Sequence, residues 1–127
     1  MQEEIVGRVF SGTGRGAFFT SLLGYKTHLA QLLGREPFPG TLNLHVIPEE
    51  AVAFLGGLHT HELASFTEDG REYGGIRLAK ILINGLAAYI VISEKTHYDK
   101  TTFEIVSTEN LRNKFELSDG DEVHIFS

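Results

Sequence analysis

A chain of 127 residues with 42% hydrophobic and 22% charged residues, and no repeat or low-complexity run, has the size and composition of one soluble domain with one core. Its net charge of −6, with eleven Lys and Arg scattered along the sequence, excludes the basic footprint of a nucleic-acid binder, and zero cysteines exclude disulfides, thiolate zinc sites and cysteine nucleophiles. No apolar run approaches the roughly 20 residues of a membrane span, and the acidic start "MQEEIVGRVF" does not suit a signal peptide, so a cytoplasmic protein with no membrane partner is expected.

In chain order, "EIVGRVFSG" predicts a strand with Ile5, Val6, Val9 and Phe10 apolar, ended by Gly12. The stretch "GTGRGAFF", 12–19, reads as a loop. Over 21–33 the apolar residues Leu22, Tyr25, Leu29, Leu32 and Leu33 recur near helical spacing, with Gly34 as the stop and Gly24 weakening the first turn. "REPFPG" breaks regular structure, and "TLNLHVI" follows as a strand. There Thr41 and Asn43 share one face and Leu42, Leu44 and Val46 the other, because strand side chains alternate. Pro48 opens a short helix through Phe54, stopped by Gly56 and Gly57.

Beyond this the pattern is mostly β, with strands expected at 62–66, 73–78, 79–83, 87–93, 102–107 and 122–126. "TEDGRE" and "INGL" carry the Asp-Gly and Asn-Gly pairs of hairpin turns. "STENLRNKF" predicts a short helix capped by Ser107 or Thr108. Many short strands with few helices point to a mainly β fold, a small closed barrel without exposed edges.

Four stretches are candidates for chemistry. Gly12, Gly14 and Gly16 permit positive φ and close backbone approach, so consecutive amides can form a nest for phosphate oxygens, with Arg15 adding a charge-assisted contact. A flexible strand connection fits the same residues, since no Gly-Lys-Ser/Thr follows and an all-β context does not suit a dinucleotide fold. Thr41 and Asn43 present two neutral oxygens to one point, which suits magnesium where a nucleotide supplies the negative charge; ordinary turn and strand polarity is the other reading. Glu104 alternates out of phase with Phe103 and Ile105, as a solvent-facing strand residue would. His59 and His61 of "HTHE" could share a strand face as a metal pair, but no third ligand stands at a signature spacing, and the other four histidines stand alone.

Taken together and in order, "GRVFSGTGRGAFF", "LGREPFPGTLNLHV", "ILINGLAAYIVISEKTHY", "FEIV", "ENLRNKF" and "LSDGDEVHI" cover nearly the whole chain. They resemble the CTP-dependent riboflavin kinases of archaeal type, whose fold is a small cradle-loop β-barrel. The resemblance implies that Gly12, Thr13, Gly14, Arg15, Gly16 and Ala17 hold the phosphates of CTP, and that Thr41 and Asn43 bind Mg2+. It further implies that Thr96 and Glu104 contact the flavin, and that Glu109, Asn110, Leu111 and Arg112 contact the cytidine nucleotide. The activity implied is transfer of the CTP γ-phosphoryl to the 5′-hydroxyl of riboflavin, giving FMN and CDP, with Glu104 orienting or deprotonating that hydroxyl. A non-catalytic flavin- or nucleotide-binding barrel, acting as a sensor or regulatory module, is the alternative.

Three departures accompany the resemblance. The family loop varies at the positions of Thr13 and Arg15, and "STENLR" lacks a proline that some relatives have just before this segment. Some relatives also carry an N-terminal winged-helix domain, whereas this chain starts at the barrel, so a single catalytic domain over 1–127 is expected.

Overall fold

Period-two alternation builds the strands, and their inward side chains meet inside a closed ring. The computed structural model describes residues 3–93 and 101–127. Strand β1 (Glu4–Phe10) is followed by helices α1 (Arg15–Ser21) and α2 (Leu23–Leu33), strand β2 (Leu42–His45), helix α3 (Pro48–Gly56), and strands β3 (Thr60–Leu63), β4 (Phe66–Glu68) and β5 (Arg71–Tyr73). The chain continues through β6 (Ile76–Ile83), β7 (Leu86–Ser93), β8 (Thr102–Val106), helix α4 (Leu111–Lys114) and β9 (Glu122–Phe126). Strands β6, β7, β8, β2, β1 and β9 pair antiparallel in that order, and the ring closes where Leu82 of β6 meets Phe126 of β9. The fold is thus mainly β, a closed barrel with short helices, as the sequence predicts. Strand β3 extends β6 outside the ring, and β4 with β5 forms a separate hairpin.

Leu44, Ile81, Ile90, Phe103, Ile105 and Ile125 fill the barrel, each at most 1% exposed, and α3 adds Ala51 and Phe54 to the same cluster. Full burial of such a side chain stabilises by about 1.5–3 kcal/mol. A second cluster lies on the outer face, where Tyr25 and Leu29 of α2 pack against Leu78, Tyr89 and Val106. Helix α2 therefore covers the sheet with the apolar stripe read from its spacing. Its first amides, Leu23 N–H and Gly24 N–H, donate to the Glu68 carboxylate at 3.1 and 3.0 Å, and it stops at Gly34 with φ 87°. None of the helices among the described residues is long and apolar enough to cross a membrane.

Several boundaries differ from expectation for physical reasons. The glycine stretch is a loop only as far as Gly14; α1 starts at Arg15, and the expected single helix over 21–33 is broken at Leu22, which is extended at φ −71° and ψ 125°. Helix α1 hides from sequence because its apolar residues do not form one stripe: Phe18 is 54% exposed, whereas Phe19 packs against the outer cluster. The strands expected at 73–78 and 79–83 are largely one strand, β6, which does not alternate cleanly because it buries apolar residues on both faces, Ile76 and Leu78 in the outer cluster and Ala79, Ile81 and Ile83 in the barrel. The strand expected at 62–66 is divided between β3 and β4. Gly56 belongs to α3, and Gly57 follows it as the cap. Both hairpins form as expected, with left-handed φ at Asp69 (52°) and Gly70 (76°), and at Asn84 (49°) and Gly85 (82°).

Gly24 offers a test of packing against propensity. A Cβ there would fall on the Phe66 ring. Alanine gains about 1 kcal/mol of helix propensity, but overpacking costs about 1–3 kcal/mol. Gly24→Ala should therefore lower stability in urea denaturation; a gain would mean that Phe66 moves aside freely.

Candidate functional site

Strand β2 lies between β1 and β8, and its register sets out the site. Phe10 pairs with Asn43, and Asn43 with Glu104, so these three residues form one row across three strands. Leu42 and Leu44 point into the barrel, so the row stands on its outer face. In the next row His45 stacks on the Phe10 ring at 4.0 Å. Thr41, two residues before Asn43, places its Oγ1 3.4 Å from Asn43 Oδ1. These neutral oxygens are a donor pair suited to a hard cation such as magnesium, whose further positions phosphate and water would fill.

The glycine turn comes down onto this pair. A Cβ on Gly12 would collide with the Asn43 amide, and one on Gly16 with the Thr41 hydroxyl, so only glycine permits the approach. Gly14, at φ 86° and ψ 0°, is left-handed and leads directly into right-handed α1. Such an alternation turns successive N–H groups toward one point and makes an anion nest.

Three adjoining hollows form a groove. One of about 200 Å³ is bordered by Phe38, Leu42, Ser107 and residues 109–112. A second of about 230 Å³ lies along the glycine turn from Ser11 to Ala17. A third of about 220 Å³ runs on to Thr102 and Glu104. Thr41 borders all three, and Arg112 the first two. Among the described residues, the sequence-predicted segments 109–112 and 12–17, with Thr41, Asn43 and Glu104, therefore border adjoining hollows that share Thr41.

Individual side chains in 109–112 are occupied. Glu109 pairs with Arg35 at 2.8 Å, and Leu111, 4% exposed, packs in the barrel core. Asn110 Oδ1 accepts the Asn113 N–H at 3.3 Å and is the cap of α4, in place of the expected Ser107 or Thr108. Arg112 pairs with Asp119 at 2.9 Å and donates to Ser11 Oγ at 3.2 Å, which ties α4 to the start of the glycine turn.

Glu104 is half-buried, and no described residue hydrogen-bonds or ion-pairs with its carboxyl; burial pushes its pKa above the usual carboxylate value. Thr96 lies outside the described residues. His59 and His61 pack ring edge to ring face at 5.3 Å, and no group of three or more His, Asp or Glu among the described residues could hold a metal ion. Of the histidines expected to stand alone, His45 stacks on Phe10 and His124 lies 3.2 Å from Glu4. Sequence reasoning missed Phe38, Ser107, Ser11 and Asp119. Ser11 bonds Asp119 across 108 positions, and no local pattern marks such a pair.

The profile of the family CTP-dep_RFKase, described as "Domain of unknown function DUF120", matches residues 9–126. The chain belongs to this CTP-dependent riboflavin kinase family. The match takes in every residue that lines the groove. A protein named riboflavin kinase from Pyrobaculum aerophilum is 40% identical over 123 residues, covering 95% of this chain and 59% of the relative. One of the same name from Archaeoglobus fulgidus is 39% identical over 125 residues, covering 96% and 53%. A third, from Ignicoccus hospitalis, is 38% identical over 121 residues, covering 94% and 68%. The chain thus spans somewhat more than half the length of the first two relatives.

The raised Glu104 pKa makes stability depend on pH with a defined sign. The folded carboxyl holds its proton more tightly than the unfolded one, so stability falls as pH rises from the ordinary value of 4.5 up to the raised folded value. Below that window the penalty is absent. The stability of Glu104→Gln relative to the native chain should therefore grow with pH across the window in urea denaturation; parallel profiles would mean that the carboxylate is well solvated.

Proposed function

We propose that the chain is a CTP:riboflavin 5′-phosphotransferase, moving the γ-phosphoryl of CTP to the ribityl 5′-hydroxyl of riboflavin to give FMN and CDP. The observation that carries this reading is the groove itself. A nucleotide with its base beside 109–112 and its phosphates along the glycine turn brings its γ-phosphoryl toward Asn43 and Glu104. The name riboflavin kinase borne by the relatives supports riboflavin as the acceptor, and the family name supports CTP as the donor.

Phosphoryl transfer requires alignment and charge stabilisation more than covalent help. In this reading the amides of 12–17 receive phosphate oxygens, and Arg112 supplies a positive charge at the junction of two hollows. Thr41 and Asn43 would hold Mg2+, which when bound would neutralise phosphate charge. The ribityl hydroxyl donates its hydrogen bond to the Glu104 carboxylate. A bond forms from its oxygen to the γ-phosphorus as the bond from that phosphorus to the β–γ bridging oxygen breaks, and CDP leaves. Burial makes Glu104 more basic than an exposed carboxylate, which favours it as acceptor of the hydroxyl proton. Choice of cytosine falls to the hollow of about 200 Å³ beside Asn110 and Leu111, where an unmatched base leaves buried polar groups unpaired.

Incubation with riboflavin, magnesium and either CTP or ATP, followed by chromatography of the flavins, should give FMN with CTP alone. Folded protein that makes no FMN with any nucleoside triphosphate would overturn the kinase reading. Asn43→Ala should lower turnover by roughly 10–100-fold, with partial recovery at high magnesium. For Glu104→Gln, a fall of less than about tenfold with flavin affinity intact would remove the proton-accepting role and leave Glu104 an anchor.

A further inference from the structure

We propose that Thr20 is a positioning residue whose hydroxyl fixes the glycine turn against the Thr41–Asn43 pair, a role that rests on the phosphotransferase reading. Thr20 and Ser107 are the buried polar residues among those described, at 3% and 2% exposed. A threonine inside a helix commonly bonds back to the carbonyl one turn earlier, and that bond alone is local. Thr20 makes it, donating to Gly16 O at 3.0 Å, with Ala17 O at 3.2 Å.

The same oxygen also accepts the Gly40 N–H at 3.1 Å, across 20 positions. One hydroxyl therefore links the backbone of Gly16 to that of Gly40. These are the two places where spacing matters most. Gly16 is the residue pressed onto the Thr41 hydroxyl, and Gly40, at φ 141°, immediately precedes Thr41.

The other end of the Pro-Gly turn is held independently, by Phe38 N–H donating to Ser107 O at 2.8 Å. With that end fixed, the Thr20 bridge decides how far the glycine turn stands from the Thr41 and Asn43 oxygens. Valine has nearly the same shape but can neither donate nor accept. It would leave the Gly40 N–H without its partner, and α1 free to shift relative to β2.

The test compares the native chain, Thr20→Val and Thr20→Ser by magnesium-dependent CTP binding, by steady-state kinetics, and by amide hydrogen exchange of free protein. Thr20→Val should raise the CTP and magnesium concentrations at half-saturation about tenfold, matching the roughly 1.4 kcal/mol upper range of one hydrogen bond. The KM for riboflavin should stay within about twofold, on the same hydrogen-bond scale. Gly40 N–H should exchange faster in Thr20→Val, and Thr20→Ser should restore every value. Should Thr20→Val not fold, the smaller Thr20→Ala is measured in its place.

Native-like magnesium and CTP titrations in the folded variant overturn the inference, even if its melting temperature falls, because the role would then be structural only. A native chain that neither binds CTP nor makes FMN overturns the parent reading, and this inference with it. A native chain that is active beside an unaffected variant overturns this inference alone.

Discussion

Everything in the groove depends on β2 being paired on both edges. Four residues long, it is hydrogen-bonded to β1 on one side and β8 on the other, so its register is set twice. A slip of one residue would turn Leu42 and Leu44 out to solvent and drive Asn43 into the barrel. Exposing those two leucines would cost about 3–6 kcal/mol at the usual value for a fully buried aliphatic side chain. The hydrophobic core thus enforces the orientation of the polar row, since core and site are opposite faces of one short strand.

The remaining parts are attached to this strand mostly through backbone. The glycine turn approaches because Gly12 and Gly16 lack side chains, the Pro-Gly turn is held by amide hydrogen bonds at Phe38 and Gly40, and α4 borders the groove with its own cap satisfied by Asn110. The charged contacts do different work. The Arg112–Asp119 pair has side chains 35% and 57% exposed, so solvent screens it and its value is geometric, keeping a guanidinium between two hollows.

Legibility in the sequence followed the range of the interaction. The ring strands other than β6, both hairpins and the apolar stripe of α2 were readable because alternation, Asn-Gly and Asp-Gly pairs and helical spacing are local signals. Strand β6 read as two because burial on both faces erases alternation. Helix α1 was hidden by Gly16 in its first turn and by the exposed Phe18. In the site, the glycine turn and the Thr-x-Asn pair were visible as residue types at fixed spacing, and the register places them together. The Ser11–Arg112–Asp119 cluster joins residues 101 and 108 positions apart, and the Phe38–Ser107 bond joins two other segments remote in the chain; neither leaves a mark on its neighbours.

The pairing of β1 with β9 also bears on how the molecule comes into being. Glu4 and His124 meet across 120 positions, and the groove takes its walls from segments near both ends of the chain. Contacts of such separation require the closure of long loops before they return any stabilisation, and folds dominated by them form in milliseconds to seconds rather than microseconds. The β6–β7 hairpin, with its tight Asn84-Gly85 turn, can form from neighbouring residues, but the groove cannot. A growing polypeptide therefore cannot close the ring on which the groove stands until β9 has been made.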